Sequence, residues 1–248
     1  MKTLKRLSVL AILFVFLFSG CEKDPLQPDK NALRISKIAD NSAMIDPLWE
    51  FEYDSDGYLI GISGDENRGT TTITYNSEDL PEMISWVTDD FSSGDESEYY
   101  ATSHIVWGNN SFVLDGDTYT LDANGNITNI SWDDSNSGYE CTWQEDRAEI
   151  YYYRDGSNEW AQTRVFNQYN SPLSAINLAI INACDISWIY DECDWIFQNK
   201  YCLSTNSSAD EGSADYDCDY NDDGYPTRIR IIEEGNFVMY LCIEYETD

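Results

Sequence analysis

The side chains able to do chemistry are unevenly supplied in this chain. There is one histidine, His104 in "TSHIVW", against 46 acidic residues and seven cysteines. A Ser-His-Asp or Cys-His arrangement would rest wholly on His104, whose surroundings read as a strand and whose role reads as an ordinary sheet histidine. Carboxylate pairs, the machinery of glycoside hydrolysis, are available everywhere. These acids follow turns and solvent faces, so their abundance singles out none. Calcium is the sharper alternative, because "DSDG" (54–57) and "DANGN" (122–126) have the acidic opening of a calcium loop. A helix-flanked calcium loop needs Gly at its sixth position and Glu at its twelfth. Counted from Asp54 these are Leu59 and Asp65, and from Asp122 they are Ile127 and Asp133. Turn chemistry accounts for the same residues. No catalytic residue, metal or cofactor is assigned.

Cysteine use fits an oxidising compartment. Cys184, Cys193, Cys202 and Cys218 are the disulfide candidates, with Cys202 facing Cys218 across the loop 205–213. If "NDDG" and "EEGN" are both loops, Cys218 and Cys242 lie two strands apart, about 9–10 Å, beyond disulfide reach. The pairing of Cys141 and Cys242 stays open. There is no Cys-x-x-Cys pair and His104 is remote in sequence, which argues against zinc.

These residues are positioned by a segment that recurs: "YDSDGYLIGI" (53–62), "LDANGNITNI" (121–130) and "YNDDGYPTRI" (220–229). Trp49 to Asp54 and Asp215 to Tyr220 alternate aromatic or cysteine side chains with acids, as a strand with one wet face must. Each then meets a turn in which Asp or Asn bonds its own backbone, and Gly57, Gly125 and Gly224 supply a positive φ. An apolar strand follows, so each copy is a β-hairpin. Altered copies occur at 75–84, 143–150 and 169–176, and "LDGDTY" (114–119) carries a two-residue Asp-Gly connection. Tyr53 and Tyr75, like Leu121 and Trp143, stand about 22 residues apart, a supersecondary period. The expectation is an all-β antiparallel meander forming a strongly curved sheet or partial barrel, its apolar face covered. One stretch, 176–202, lacks Gly and Pro, and Ile176, Ala179, Ile180 and Ala183 can share a helical face. A short helical insertion near 176–198 is expected, on the apolar face or plugging an open end.

At the N-terminus Lys2, Lys5 and Arg6 precede an apolar run, 7–18, interrupted only by Ser8. That is shorter than the ~20 residues a bilayer requires and suits a secretory signal. The end of the run, "LFSGC", resembles a lipobox, with Cys21 as the lipidated residue. The expected division is a signal peptide at 1–20, a lipidated tether at 21–31 and a single β-rich domain at 32–248. The "CEKD" cluster resembles a surface-export signal of Bacteroides-type bacteria. Removing residues 1–20 takes away three positive charges and no acid, so a net charge of −32 becomes −35. Such a field excludes nucleic acid as a partner. The 42% hydrophobic content, 18 Tyr and 8 Trp exclude a disordered acidic chain.

Tyr-Asp-x-x-Gly followed by an apolar strand is similar to the YD repeats of bacterial surface shells, which are far longer. The order "LRISKI … WEFEYDSDGYLIGI … TYTLDANGNITNI … YNDDGYPTRIRI" looks more like a family of Bacteroides-type surface lipoproteins described as having a porin-like fold. That resemblance implies a soluble curved sheet or partial barrel over residues 32–246, and brings no catalytic residue with it. Trp86, Trp107, Trp132, Trp143, Trp160, Trp188 and Trp195 read as filling beneath the sheet, although an exposed pair could stack on a sugar. The functional expectation is a non-enzymatic, lipid-anchored outer-membrane protein at the cell surface, or on the periplasmic face, binding glycan or protein. An envelope hydrolase using an acidic pair, or a purely structural envelope component, are the alternatives.

Overall fold

The computed structural model describes residues 32–40, 47–64, 69–90, 97–133, 136–184, 198, 200–208 and 212–246. Cys21, Cys193, Trp188, Trp195 and the whole of 1–31 lie outside the described residues. The described part contains sixteen strands in one antiparallel meander that closes on itself. In chain order these begin with β1 (Ile35–Ala39), β2 (Trp49–Tyr53), β3 (Leu59–Gly64), β4 (Thr70–Tyr75), β5 (Pro81–Asp90) and β6 (Ser97–Gly108). Next come β7 (Ser111–Leu114), β8 (Asp117–Leu121), β9 (Ile127–Ser131), β10 (Ser137–Gln144) and β11 (Arg147–Arg154). Last are β12 (Ser157–Asn170), β13 (Tyr201–Ser208), β14 (Gly212–Tyr220), β15 (Pro226–Glu233) and β16 (Asn236–Tyr245). β1 pairs with β16 through Ile35↔Tyr245 and Ala39↔Cys242, so the expected partial barrel is a closed one. Closure leaves the first and last strands without the open edges that invite aggregation.

The wall alternates. On β14, Ala214 and Tyr216 face inward and are buried, while Ser213, Asp215 and Asp217 face out. Inward-facing residues from all round the barrel form one apolar cluster, and Leu178, Ala179, Ile180 and Ile181 belong to it. Outward positions carry Glu50, Glu52, Asp215, Asp217 and Glu244, with ion pairs such as Lys37–Glu50 at 2.7 Å and Arg230–Asp217 at 2.8 Å. A membrane-spanning barrel has the reverse polarity, apolar outside and polar within. This wall is therefore built to face water, and its interior is a core.

The segment after β12 supplies the filling for that interior. Asn177 caps α1 (Leu178–Ala183), its Oδ1 accepting from the Ala179 N–H at 2.9 Å. Residues 171–181 are buried without a break. The helix touches β5 and β7, on the wall opposite its point of departure. The expected insertion near 176–198 is thus a plug whose described helix is six residues long. "YNSPLSAI" (169–176), which the repeat reading makes a hairpin, is instead the entry to this plug: β12 ends at Asn170 and the chain turns inward.

Four connections share one local structure. After β2, β4, β8 and β14, a leading Asp or Asn turns its side-chain oxygen onto two backbone N–H groups of its own turn. Asp54 Oδ1 accepts from Asp56 and Tyr58, both at 2.9 Å. Asn76 Oδ1 accepts from Glu78 at 2.8 Å and Leu80 at 3.1 Å. Asp122 Oδ1 does the same for Asn124 and Asn126, and Asn221 Oδ1 for Asp223 and Tyr225. The fourth turn residue is left-handed in each: Gly57 at φ 86°, Asp79 at 59°, Gly125 at 82° and Gly224 at 78°. The copy at 75–84, read from sequence as an altered one, is geometrically complete because Asp tolerates that conformation better than most residues.

Each of these turns leads into a β-bulge. Glu52 pairs with Gly61 but Tyr53 with Leu59, leaving Ile60 extra, and the other three copies shift in the same way. The bulge puts residues three apart on the inner face: Leu59 with Ile62, Pro81 with Ile84, Ile127 with Ile130 and Pro226 with Ile229 are all buried. An aromatic side chain at the end of the next strand then donates to the carbonyl of the first residue after the turn. Tyr75 Oη reaches Leu59 O at 2.8 Å, Trp107 Nε1 Pro81 O at 2.6 Å, Trp143 Nε1 Ile127 O at 2.9 Å and Tyr245 Oη Pro226 O at 2.8 Å. The abundant Tyr and Trp therefore serve partly as donors that satisfy backbone oxygens inside the wall.

Candidate functional site

A meander places the ends of all even-numbered strands at one rim, so the four turns lie together there. The chain also enters at this rim: Arg34 pairs with Glu246 at 2.9 Å, and a side chain on Gly57 would meet Arg34 Nη1 at 3.0 Å. The acids of these turns are the residues with the calcium-loop opening. Their leading oxygens are committed to backbone N–H groups. Two of the four copies use neutral Asn in the same place, which an amide can fill as well as a carboxylate. Among the described residues no group of three or more His, Cys, Asp or Glu is placed to hold a metal ion.

The lone histidine has neighbours that look suggestive in sequence. Ser103 donates to the Asp115 carboxylate, and the His104 backbone N–H reaches the same carboxylate at 3.2 Å. Ser103 is buried and His104 exposed, as neighbours on one strand must alternate. The serine hydroxyl and the imidazole thus point to opposite sides of the wall and form no triad.

Cys202 and Cys218 come together, Sγ to Sγ at 3.7 Å. Cys141 and Cys184 are separate thiols, each pushed up to about 12 by burial. Cys218 pairs with Ile229 and Cys242 with Arg228, which keeps those two thiols two strands apart.

The tryptophans lie mainly within the wall. Trp86, Trp107, Trp132 and Trp143 pack against the central cluster. Phe237 is exposed on β16, and two tyrosines that the sequence reading passed over are exposed as well. Tyr169 is 43% exposed and Tyr201 38% exposed. Tyr201 is the strand partner of Asn170, so its side chain shares a face with Asn170 rather than with Tyr169. Tyr220, from β14, stacks on Tyr169 with ring centroids 4.1 Å apart and planes at 23°. Asn167 Nδ2 donates to Tyr220 Oη at 2.8 Å, while Asn167 Oδ1 accepts from the Tyr169 N–H at 2.9 Å. Lys200 Nζ sits 5.0 Å from the centre of the Tyr201 ring. Burial, and then the nearby Cys202 and Cys218 thiols, hold the Tyr220 hydroxyl above its ordinary range, so it stays protonated.

Neighbouring elements hold this shelf in place. Asn170 N–H donates to Gly224 O at 3.1 Å and Asn170 Nδ2 to Asp223 O at 3.2 Å, tying the end of β12 to the fourth turn. Gln198 Oε1 accepts from the N–H groups of Lys200 and Tyr201 at 2.7 and 2.8 Å. Flat, partly exposed rings flanked by amides can stack on an apolar sugar face and bond its hydroxyls. They offer no nucleophile and no acid–base pair. The sequence signal was present only as Tyr in two separate segments, brought together by pairings distant along the chain.

No family model matches the chain, and no curated protein matches it. Among solved structures it is similar to a porin-like protein from Bacteroides uniformis ATCC 8492, with 15% identity, 86% of this chain and 98% of the other covered, and a TM-score of 0.43. It is also similar to a porin-like protein from Bacteroides vulgatus ATCC 8482, with 10% identity, coverage of 88% and 100%, and a TM-score of 0.42. Both are distant from this chain in sequence.

Proposed function

We propose that this protein is a non-enzymatic, lipid-anchored envelope protein whose plugged barrel displays a glycan-binding shelf made by Tyr169 and Tyr220. The observation that carries this reading is the stacked, partly exposed tyrosine pair. An interior packed with its own chain supports a scaffold rather than a pore, because an aqueous pore needs a polar lining. The anchor is Cys21, followed by the tether 21–31. Eleven extended residues reach on the order of 35 Å, enough for the rim that carries the shelf to swing clear of the membrane it is tied to.

A polysaccharide array probed with the full-length protein and with the Tyr169→Ala/Tyr220→Ala double variant tests the shelf. Binding to a neutral or cationic glycan that falls at least tenfold in the double variant is expected. Equal binding by both proteins would refute it. Metabolic labelling with a palmitate analogue tests the anchor, and label that persists in Cys21→Ala would remove it.

A further inference from the structure

We infer that Cys202 and Cys218 form a disulfide that staples β13 to β14 beside Tyr220 of the tyrosine shelf. The β13–β14 ladder pairs Thr205 with Asp215, and the same register three residues further on sets Cys202 opposite Cys218. Directly opposed residues on antiparallel strands have Cα atoms about 4.5–5.5 Å apart, inside the range a disulfide spans. The sulfurs are already 3.7 Å apart. Reaching the bonded separation of about 2.05 Å requires a movement of under about 1 Å from each. Cys202 is fully buried and Cys218 half-buried, so the pair is enclosed and shielded from competing partners.

The placement gives the bond a consequence. Tyr220 follows Cys218 by two residues, on the same face of β14. A covalent link at this point fixes β14, the strand that carries Tyr220, against β13, and a pre-organised shelf loses less entropy when a ligand docks. That consequence rests on the glycan reading; the bond itself does not.

The oxidant is a disulfide, either a small molecule such as glutathione disulfide or the disulfide of an oxidoreductase. One cysteine thiolate attacks a sulfur of the oxidant and expels one thiolate. The second cysteine thiolate then attacks the resulting mixed disulfide and expels the other. Two cysteine protons pass to the leaving thiolates, and two electrons reduce the oxidant to two thiols. In the folded protein the neighbouring Cys202 thiol and then burial hold the Cys218 thiol above its ordinary range, which suppresses the attacking thiolate. The bond should therefore form while the chain folds.

The full-length protein is denatured, reduced, and refolded in a reduced/oxidised glutathione mixture. It is then alkylated, reduced, alkylated with a second reagent and mapped by mass spectrometry. The second label is expected on Cys202 and Cys218 together, and adding a reductant should lower Tm by about 6 °C or more. Cys202→Ser should abolish both the paired label and the reductant-sensitive shift. First label on both cysteines after refolding, or a bond mapped to another partner, overturns the inference. The same mapping on protein quenched in cells reads export separately: a bond in the refolded sample with thiols in cells supports the staple and counts against an oxidising location.

Discussion

Four turns at one rim of the barrel and three at the other reverse the chain with different chemistry. After β2, β4, β8 and β14 a side-chain oxygen takes two backbone N–H groups, and a left-handed fourth residue and a bulge follow. At the other rim the connections after β7, β11 and β15 are two residues long, and φ is positive at both. Asp115 and Gly116 lie at 51° and 101°, Asp155 and Gly156 at 49° and 78°, Glu234 and Gly235 at 47° and 80°. These are the primed hairpin turns whose twist matches that of the strands. The second kind of turn folds no side-chain oxygen back onto its own backbone. The first recruits a side chain, an aromatic donor and an extra residue, and it does so at the rim where the chain enters, the plug departs and the tyrosines are shown. Local reinforcement is concentrated where the molecule has most to hold.

The comparison breaks most easily where backbones approach closest. Gly138, at the start of β10 on the second rim, has φ 156°, and a side chain there would place Cβ 1.9 Å from the Ile130 carbonyl oxygen. Gly138→Ala should cost about 4 kcal/mol, because neither strand can give way without losing its ladder. A thermal melt that moved by only a degree or two would show that β9 and β10 separate more readily than their register implies.

Next come the left-handed glycines. Gly57→Val should cost about 3 kcal/mol, since a β-branched residue at φ 86° also meets Arg34 Nη1 at 3.0 Å. Gly224→Val should cost about 2 kcal/mol, because its nearest neighbour, Tyr169 Cδ1, is at an ordinary 3.5 Å. Gly156→Val has nothing within 4 Å and isolates the backbone cost at the second rim. Equal losses at Gly57 and Gly156 would mean that the Arg34 contact contributes nothing. Chelator should leave all three melts unmoved; a calcium-dependent shift abolished by Asp54→Ala would identify an ion site in the first turn.

The aromatic donors come third. Trp143→Phe leaves the Ile127 carbonyl oxygen without its indole donor inside the wall and should cost about 1–2 kcal/mol. Tyr151→Phe is the control, because its hydroxyl bonds the Glu149 carboxylate on the outer face at 3.2 Å. That variant should melt as wild type does. Similar losses in the two variants would mean that the bulge carbonyl finds another partner.

These same features decide what the sequence could reveal. Three turns were legible because "DSDG", "DANG" and "NDDG" put a self-bonding side chain and a glycine at fixed spacing. The bulges were not, since Leu59 with Ile62 and Ile127 with Ile130 show an apolar spacing of three that a plain strand does not produce. The plug was legible as a broken rhythm, but its course across the barrel depends on contacts with β5 and β7 that no local pattern encodes. The shelf was illegible for the same reason: Tyr169 and Tyr220 meet only once β12, β13 and β14 are in register.

The smallest effect is the most diagnostic, because its sign differs from the rest. Asp79 occupies the position that Gly57, Gly125 and Gly224 occupy in the other three turns, at φ 59°. A non-glycine residue there costs on the order of 1–2 kcal/mol, less for Asp than for most. Glycine would remove that strain but bring a looser unfolded chain, worth roughly 0.5–1 kcal/mol in the other direction. Asp79→Gly should therefore gain about 0.5 kcal/mol, a rise in Tm of about 1–2 °C. The reciprocal change, Gly125→Asp, should lose a similar amount. Matching shifts of opposite sign would establish that the four turns are one structure with interchangeable residues at the fourth position. A loss on Asp79→Gly would mean instead that the Asp79 carboxylate itself holds the second turn, and that this turn differs in kind from the other three.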